Sequence, residues 1–307
     1  MVATLLAGQI LQLFMIMFLG YAVVRTGLLR TQDSRTLSVL IVYIILPCTI
    51  LNAFQIAYTD ETASDFLLAV ASAVIIHVLL FVILALISRP LRLNSIEKAS
   101  IIYSNAGNLI LPLVTAILGE EWVLFASAFM VVQLFIIWTH GKSLIEEKRG
   151  ADFRSIITNV NLLACIAGLL LFLLHIRLPA MLSGTIRTLG SAIGPLTMLT
   201  LGMILAGIDL KPVQRGKRIW LIAFLRMIAV PAAVLLIMKT SGIAKLSPNG
   251  ITILYISLLA TMTPSATTVT QMAQLYGKDY NYATAINTLT TLLCIATMPL
   301  MTMLYYL

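Results

Sequence analysis

Ten long apolar segments divide the chain, and each is close to the roughly 20 residues that a helix needs to cross the hydrocarbon core of a bilayer. Hydrophobic residues make up 60% of the 307 residues and charged residues 10%, which excludes an ordinary soluble domain. The sequence therefore predicts an all-α integral membrane protein. The ten predicted transmembrane segments are residues 4–24, 37–57, 66–87, 99–119, 123–144, 156–174, 186–208, 219–238, 251–276 and 282–304.

The loops between these segments alternate in charge. One set is rich in Lys and Arg, including Arg30, Arg35 and Arg154, whereas the other holds four basic residues and several acids. Because basic loops tend to stay in the cytoplasm, we expect both termini outside and an even number of spans. The expected location is the cell (cytoplasmic) membrane, with the lipid bilayer as a partner.

Several other classes of function are disfavoured by the sequence. The net charge of +8 comes from basic residues in short loops and not on one face, so we expect no nucleic-acid partner. Cys48, Cys165 and Cys294 lie in apolar segments and are interpreted as packing thiols. The chain has no HExxH, GxSxG or CxxC motif, so we expect no metal, no cofactor and no enzymatic activity.

Two polar stretches interrupt the apolar segments, each around a proline. They are YSNAGNLILPLV at 103–114 and LATMTPSATT at 259–268. A proline cannot bond the carbonyl four residues back, so Pro112 frees that of Asn108 and Pro264 frees that of Ala260, and each helix should break there. Freed backbone groups at membrane depth must face protein or a water-filled cavity. Two such breaks are typical of secondary transporters.

The longest basic loop separates two halves of five segments each. We predict a first repeat at 1–145, a cytoplasmic linker at 146–155 and a second repeat at 156–307. The first half enters the membrane from outside and the second from inside, so similarity between them must be inverted. The prolines agree with this interpretation: Pro47 and Pro195 lie in the second segment of their halves, and Pro112 and Pro264 in the fourth.

Motifs along the whole chain resemble those of the auxin efflux carrier family, which includes bacterial malate and malonate permeases and the PIN-formed auxin exporters. Their order and spacing, more than any one motif, make the resemblance specific. They are VYIILPCTIL in the second segment, Asn105-x6-Pro112 in the fourth, VQLFIIWTHG in the fifth, GPLTMLTLGMILAG in the seventh, TPSATTVTQMAQLYG in the ninth and NTLTTLLCIATMP in the tenth.

The resemblance implies a fold of two inverted five-helix repeats in which helices 4 and 9 are broken where they cross, with the substrate site at the crossover. It also implies that helices 1, 2, 6 and 7 form a scaffold, while helices 3–5 and 8–10 carry substrate in an elevator-like movement, in a homodimer. Family substrates are organic anions. The chain lacks the long cytoplasmic domain of the plant exporters. The sequence also shows no acid of the sort that sodium-coupled bile-acid-type relatives use inside a predicted segment, which argues against sodium coupling.

The breaks supply most of the predicted substrate-binding residues. A broken helix presents the free amides and positive dipole end of its second half, which suits a carboxylate. Side-chain amides and hydroxyls around the two prolines can add hydrogen bonds, or they can serve only to cap the freed backbone. These residues are Asn105, Asn108, Pro112, Thr263, Pro264, Ser265 and Thr267.

Three further polar residues lie inside apolar segments. Gln133 is predicted to contact substrate, with interhelical hydrogen bonding as the alternative. Arg226 can neutralise a substrate carboxylate, or its side chain can snorkel to the cytoplasmic end of its helix. His77 can take up a proton during transport, although a lone buried histidine more often serves packing.

The sequence as a whole predicts a secondary transporter of a small organic anion. The expected substrate is a mono- or dicarboxylate such as malate or malonate, or an auxin-like weak acid. Two alternatives belong to other classes: a membrane sensor that binds an organic anion without moving it, and an anion channel. Two inverted broken helices favour alternating access over a continuous pore.

Overall fold

The computed structural model describes residues 2–56, 59–147, 154, 157–207 and 216–307. In this part of the chain the fold consists of helices without a β-strand, and most of the predicted linker at 146–155 lies outside it. The main helices are α1 (Val2–Arg25), α2 (Thr31–Ala53), α3 (Asp60–Ser88), α4 (Ser95–Ile102), α5 (Ala106–Ile117), α6 (Glu120–Glu146), α7 (Val160–Leu173), α8 (Ala180–Ala206), α9 (Lys217–Ser241), α10 (Gly250–Met262), α11 (Thr267–Leu275) and α12 (Tyr280–Tyr306).

Six of the described helices are long and apolar enough to cross a membrane, namely α2, α3, α6, α8, α9 and α12. Helices α7 and α10 and the part of α1 from Ile10 to Arg25 are apolar but shorter. The prediction of an all-α, multi-pass membrane protein is confirmed.

The fourth and ninth predicted segments are each split into two helices. The first break, at residues 103–105, separates α4 from α5, and the second break, at 263–266, separates α10 from α11. Pro264 lies in the second break, as predicted. The break predicted at Pro112 is wrong, because Pro112 lies inside α5. A membrane helix tolerates a proline where its neighbours satisfy the freed backbone group, so a proline does not by itself fix where a helix ends.

Helices α1 and α8 pack against each other through glycines. A side chain at Gly20 would overlap the backbone carbonyl of Leu199, and one at Gly202 would overlap that of Met17. Small residues of this kind let the backbones of two membrane helices approach closely. The close approach fixes α1 beside α8.

The start of each split segment is tied to a helix of the other half of the chain. On α4, the buried Glu97 accepts a hydrogen bond from Arg218 Nε of α9 at 2.7 Å. Just before α10, Asn249 Nδ2 donates to Asp65 Oδ2 of α3 at 2.7 Å, and Ser247 bonds the same carboxylate. Both outer ends of the split segments are therefore held by polar contacts between the two halves of the chain.

Candidate functional site

The two breaks lie side by side and pair as a short antiparallel bridge between Ser104 and Ser265. The amide of Asn105 donates to the Pro264 carbonyl at 2.8 Å, and the amide of Ala266 donates to the Tyr103 carbonyl at 2.9 Å. Buried backbone groups need partners, and a lipid environment offers none. Each break therefore supplies hydrogen bonds that the other lacks.

Side chains satisfy the outer edge of this pair. Gln133 of α6 donates from Nε2 to the Ser104 carbonyl at 2.7 Å, and its Oε1 accepts from the Ser104 amide at 3.3 Å and hydroxyl at 2.5 Å. On the other break, Asn287 of α12 donates to the Ser265 carbonyl at 2.6 Å, and Thr290 accepts from the Ser265 amide at 3.2 Å. The amide and the carbonyl of each serine are thereby both hydrogen-bonded.

Four helix ends meet at the paired serines. Helices α5 and α11 begin there, with Asn105 and Ala266 at their N-cap positions, and α4 and α10 end there. The beginning of a helix carries free N–H groups and a partial positive charge, and its end carries free carbonyls and a partial negative charge. The site therefore has an electropositive side and an electronegative side.

A cavity of about 360 Å³ lies beside the beginnings of α5 and α11. Asn161 lines it, is 8% exposed, and has a side-chain oxygen without a hydrogen-bond partner among the described residues. Arg35 is the charged residue of the described lining. The polar residues that line the cavity are Arg35, Ser38, Tyr43, Ser104, Asn105, Gln133, Asn159, Asn161, Thr267, Thr268 and Gln271.

Three of the predicted site residues line this cavity: Asn105, Gln133 and Thr267. Asn105 Oδ1 accepts a hydrogen bond from Thr267 Oγ1 at 3.4 Å, which links the two breaks. The amide of Gln133 is bonded to the main chain of Ser104, as the alternative interpretation of this residue expected. Its contact with a substrate stays a prediction.

The remaining predicted residues of the two breaks lie behind the cavity wall. Thr263 and Ser265 are buried in the second break, and the Thr263 hydroxyl donates to the Ala260 carbonyl at 2.8 Å. That carbonyl is the one freed by Pro264. Pro112 faces α8, where its carbonyl lies near Gly194. The predicted role of Asn108 falls on a side chain outside the described part of the structure.

Arg226 and His77 are both fully buried and do not line the cavity. Arg226 donates to the Ile101 carbonyl at 3.2 Å and to the Thr263 carbonyl at 2.8 Å. The alternative in which Arg226 snorkels to a membrane surface is therefore wrong. The ring of His77 bonds the Ala73 carbonyl at 2.7 Å and stacks at a tilt on Phe129, a packing arrangement.

Sequence reasoning missed four residues of the site: Arg35, Asn161, Asn287 and Thr290. Asn287 and Thr290 are three residues apart in an apolar helix, a spacing that puts both on one face and signals a shared polar partner. Asn161 is a buried amide in the first turn of α7. Arg35 was counted with the basic loops, and nothing in the local sequence distinguishes it from Arg30.

Fold and site together define a multi-pass membrane protein with a polar cavity at two interrupted helices. The sequence matches a family model described as "Membrane transport protein" over residues 5–155 and 151–302. These ranges cover nearly the whole chain, so the protein belongs to this family of membrane transport proteins, and the resemblance to the auxin efflux carriers is confirmed. No curated protein gives a significant match to the chain.

Proposed function

We propose that this protein is a secondary transporter that binds a small organic anion between the two breaks. The observation that carries the proposal is the cavity, which is lined by the beginnings of α5 and α11 and by Asn161, whose buried side-chain oxygen has no partner among the described residues. A polar group buried without a partner costs free energy. The unpaired atom is an acceptor, so a ligand hydroxyl such as that of malate can remove that cost by donating to it, while the carboxylate accepts from the free amides of α5 and α11.

The charge of the cavity wall favours a carboxylate. Each helix beginning carries about half a positive charge, so α5 and α11 together complement one carboxylate. Arg35 on α2 offers a second positive charge at the wall. A volume of about 360 Å³ lies at the small end of ligand sites in proteins. The proposed substrates are therefore mono- or dicarboxylates such as malate or malonate, or an auxin-like weak acid.

The proposed mechanism is an elevator in a ten-helix fold of two inverted repeats, with α1, α2, α7 and α8 as the scaffold. The cavity lining supports this division, because it combines residues of α2 and the start of α7 with residues of the two breaks and of α6. Sliding of the scaffold past the other helices would open and close the cavity. Arg35 lies in a predicted cytoplasmic loop and Asn159 near the cytoplasmic start of the sixth predicted segment, so the proposed opening faces the cytoplasm. The proposed assembly is a homodimer in the cell membrane, with both termini outside.

The proposal is tested by uptake of radiolabelled malate, malonate and an auxin-like acid into proteoliposomes, with and without a pH gradient, a sodium gradient and an internal counter-anion. Hydrogen bonds to charged groups contribute about 1.5–3 kcal/mol and neutral ones about 0.5–1.5 kcal/mol, so Asn105→Ala should raise the half-saturation concentration roughly tenfold or more and Asn161→Ala by up to roughly tenfold. The amount of folded protein should stay close to that of the wild type.

Arg35→Gln has a matched control in Arg30→Gln, which removes the same charge from the same loop at a residue outside the described cavity lining. Arg35→Gln should weaken uptake of a dicarboxylate more than that of a monocarboxylate, and Arg30→Gln should change neither. Saturable binding without accumulation would favour a sensor. Uptake that rises linearly with substrate concentration would favour a channel.

A further inference from the structure

Arg226 holds the ends of two helices from different halves of the chain. One terminal nitrogen of its guanidinium donates to Ile101 in the last turn of α4, and the other donates to Thr263 directly after α10. The side chain is 0% exposed. A single buried cation therefore joins the two carboxyl ends that meet at the breaks.

The charge of Arg226 is compensated by helix ends and not by an acid. No carboxylate among the described residues forms an ion pair with it, and its Nε has no partner there. An isolated buried charge is very costly, but each helix end supplies about half a negative charge. The ends of α4 and α10 therefore balance about one positive charge.

The local sequence explains how a guanidinium reaches this point. Residues Leu225–Ala229 form a π-helical turn, and Pro231 follows it. A proline has no N–H to bond the carbonyl four residues back, which here belongs to Met227, so the regular α-helical ladder is interrupted and the turn widens. Such π-turns are frequent at functional sites.

We propose that Arg226 is a resident cation, built into the chain at a place where two helix ends would otherwise bind a free cation. Backbone carbonyls are common ligands of hard cations. Here the carbonyls of Ile101 and Thr263 bind the guanidinium of Arg226 instead. With the negative ends of α4 and α10 neutralised, the positive ends of α5 and α11 remain uncompensated towards the cavity. Arg226 is thus a positioning residue that sets the charge available to one carboxylate.

Two consequences follow, of which the second rests on the proposed transport function. First, removing the guanidinium leaves a vacant, electronegative cavity that a small cation can fill. Second, anion uptake by the wild-type protein needs no co-bound metal cation, because its positive charge is already in place. The first consequence concerns the folded protein alone and is measurable without transport.

The first test is thermal unfolding of the purified full-length protein in choline, sodium, potassium or guanidinium chloride, the last at concentrations well below those that denature proteins. Arg226→Ala should unfold several degrees lower than the wild type in choline and recover with guanidinium or sodium. Arg226→Met fills the space with an apolar chain and should not recover. The wild type should not respond to the change of cation.

Arg226→Lys keeps the proposal testable even if the alanine variant does not fold, since a lysine retains the charge. Arg226→Lys should lower the unfolding temperature less than Arg226→Met. If these two variants are equally destabilised, or if no cation restores folded Arg226→Ala, the resident-cation proposal is overturned.

The second test measures uptake of the transported acid in proteoliposomes. Wild-type uptake should be unchanged when choline replaces sodium and potassium, and Arg226→Ala should lose at least tenfold in rate and regain part of it with guanidinium. A wild-type protein that needs sodium would overturn the second consequence. If the wild type accumulates no acid, the transport proposal fails, while the cation dependence of unfolding still decides the role of Arg226.

Discussion

The two breaks are built on one plan but satisfied by different side chains. At the first break, Gln133 alone bonds both the amide and the carbonyl of Ser104. At the second break, the same two groups of Ser265 are shared between Asn287 and Thr290. The first break also lacks a proline, whereas the second contains Pro264.

This difference shows what determines where a membrane helix breaks. A chain segment leaves the helix where its extended residues find other partners, and both breaks find them in each other. Pro112 lies within α5 although it lacks an amide hydrogen, and the first break forms upstream without a proline. The position of a break therefore depends more on available hydrogen-bond partners for the extended backbone than on the amide hydrogen that a proline lacks.

The largest effect is predicted for Gln133, whose side chain bonds both the amide and the carbonyl of Ser104. Gln133→Leu leaves the amide and carbonyl of Ser104 buried without partners on that edge, and each such group costs about 1–3 kcal/mol. We expect a loss of about 3 kcal/mol or more in the free energy of unfolding, measured as a drop in the unfolding temperature in detergent.

Gln271→Leu is the matched control for Gln133→Leu, because Gln271 also lines the cavity and no described backbone group depends on its side chain. It should leave the unfolding temperature nearly unchanged. Equal stability of the two leucine variants would show that the first break is held by the pairing of the serines alone.

The sequence predicted the membrane fold, the split of the fourth and ninth segments and the closeness of Asn105, Gln133 and Thr267 to a common cavity. Hydropathy and the polar stretches around the prolines indicate the fold and the two splits, because lipid forces every exposed backbone group into a helix. The substrate-contact prediction for Gln133 came from the family resemblance. The position of the first break was predicted wrongly, since it depends on a partner segment about 160 residues away. No local pattern around Ser104 encodes that pairing.

The burial of Arg226 could not be predicted from the sequence either. An arginine about two turns from a helix end can snorkel or remain buried, and the choice depends on whether carbonyls such as those of Ile101 and Thr263 lie within reach. Those carbonyls belong to two other helices. Their convergence is a property of the assembled fold.

The second break should lose stability in two smaller steps. Asn287→Ala removes the donor to the Ser265 carbonyl and Thr290→Val removes the acceptor from its amide, and each change should cost about 1–2 kcal/mol. The double variant should cost about as much as Gln133→Leu. These unfolding temperatures test whether the two breaks are equivalent. If the double variant is as stable as either single variant, Asn287 and Thr290 do not stabilise the carbonyl and the amide of Ser265 independently.

The smallest effect is predicted at the proline of the second break. Pro264→Ala should leave the breaks in place and change the free energy of unfolding by less than about 1 kcal/mol, because the carbonyl that bonds Asn105 is present in either residue. The Ala260 carbonyl, which Pro264 cannot bond, already accepts from the Thr263 hydroxyl at 2.8 Å. The Thr263 hydroxyl therefore donates the hydrogen bond to Ala260 that the amide of residue 264 would donate in a regular helix.

A double-mutant cycle of Thr263 and Pro264 tests this explanation directly. Thr263→Val should cost about 1 kcal/mol in the wild type but less in the Pro264→Ala background, where the new amide at 264 can bond the Ala260 carbonyl instead. Such coupling is measured as the departure of the double variant from additivity. Strict additivity would mean that the new amide does not reach Ala260, so that the pairing of Ser104 with Ser265 holds the second break open with or without the proline.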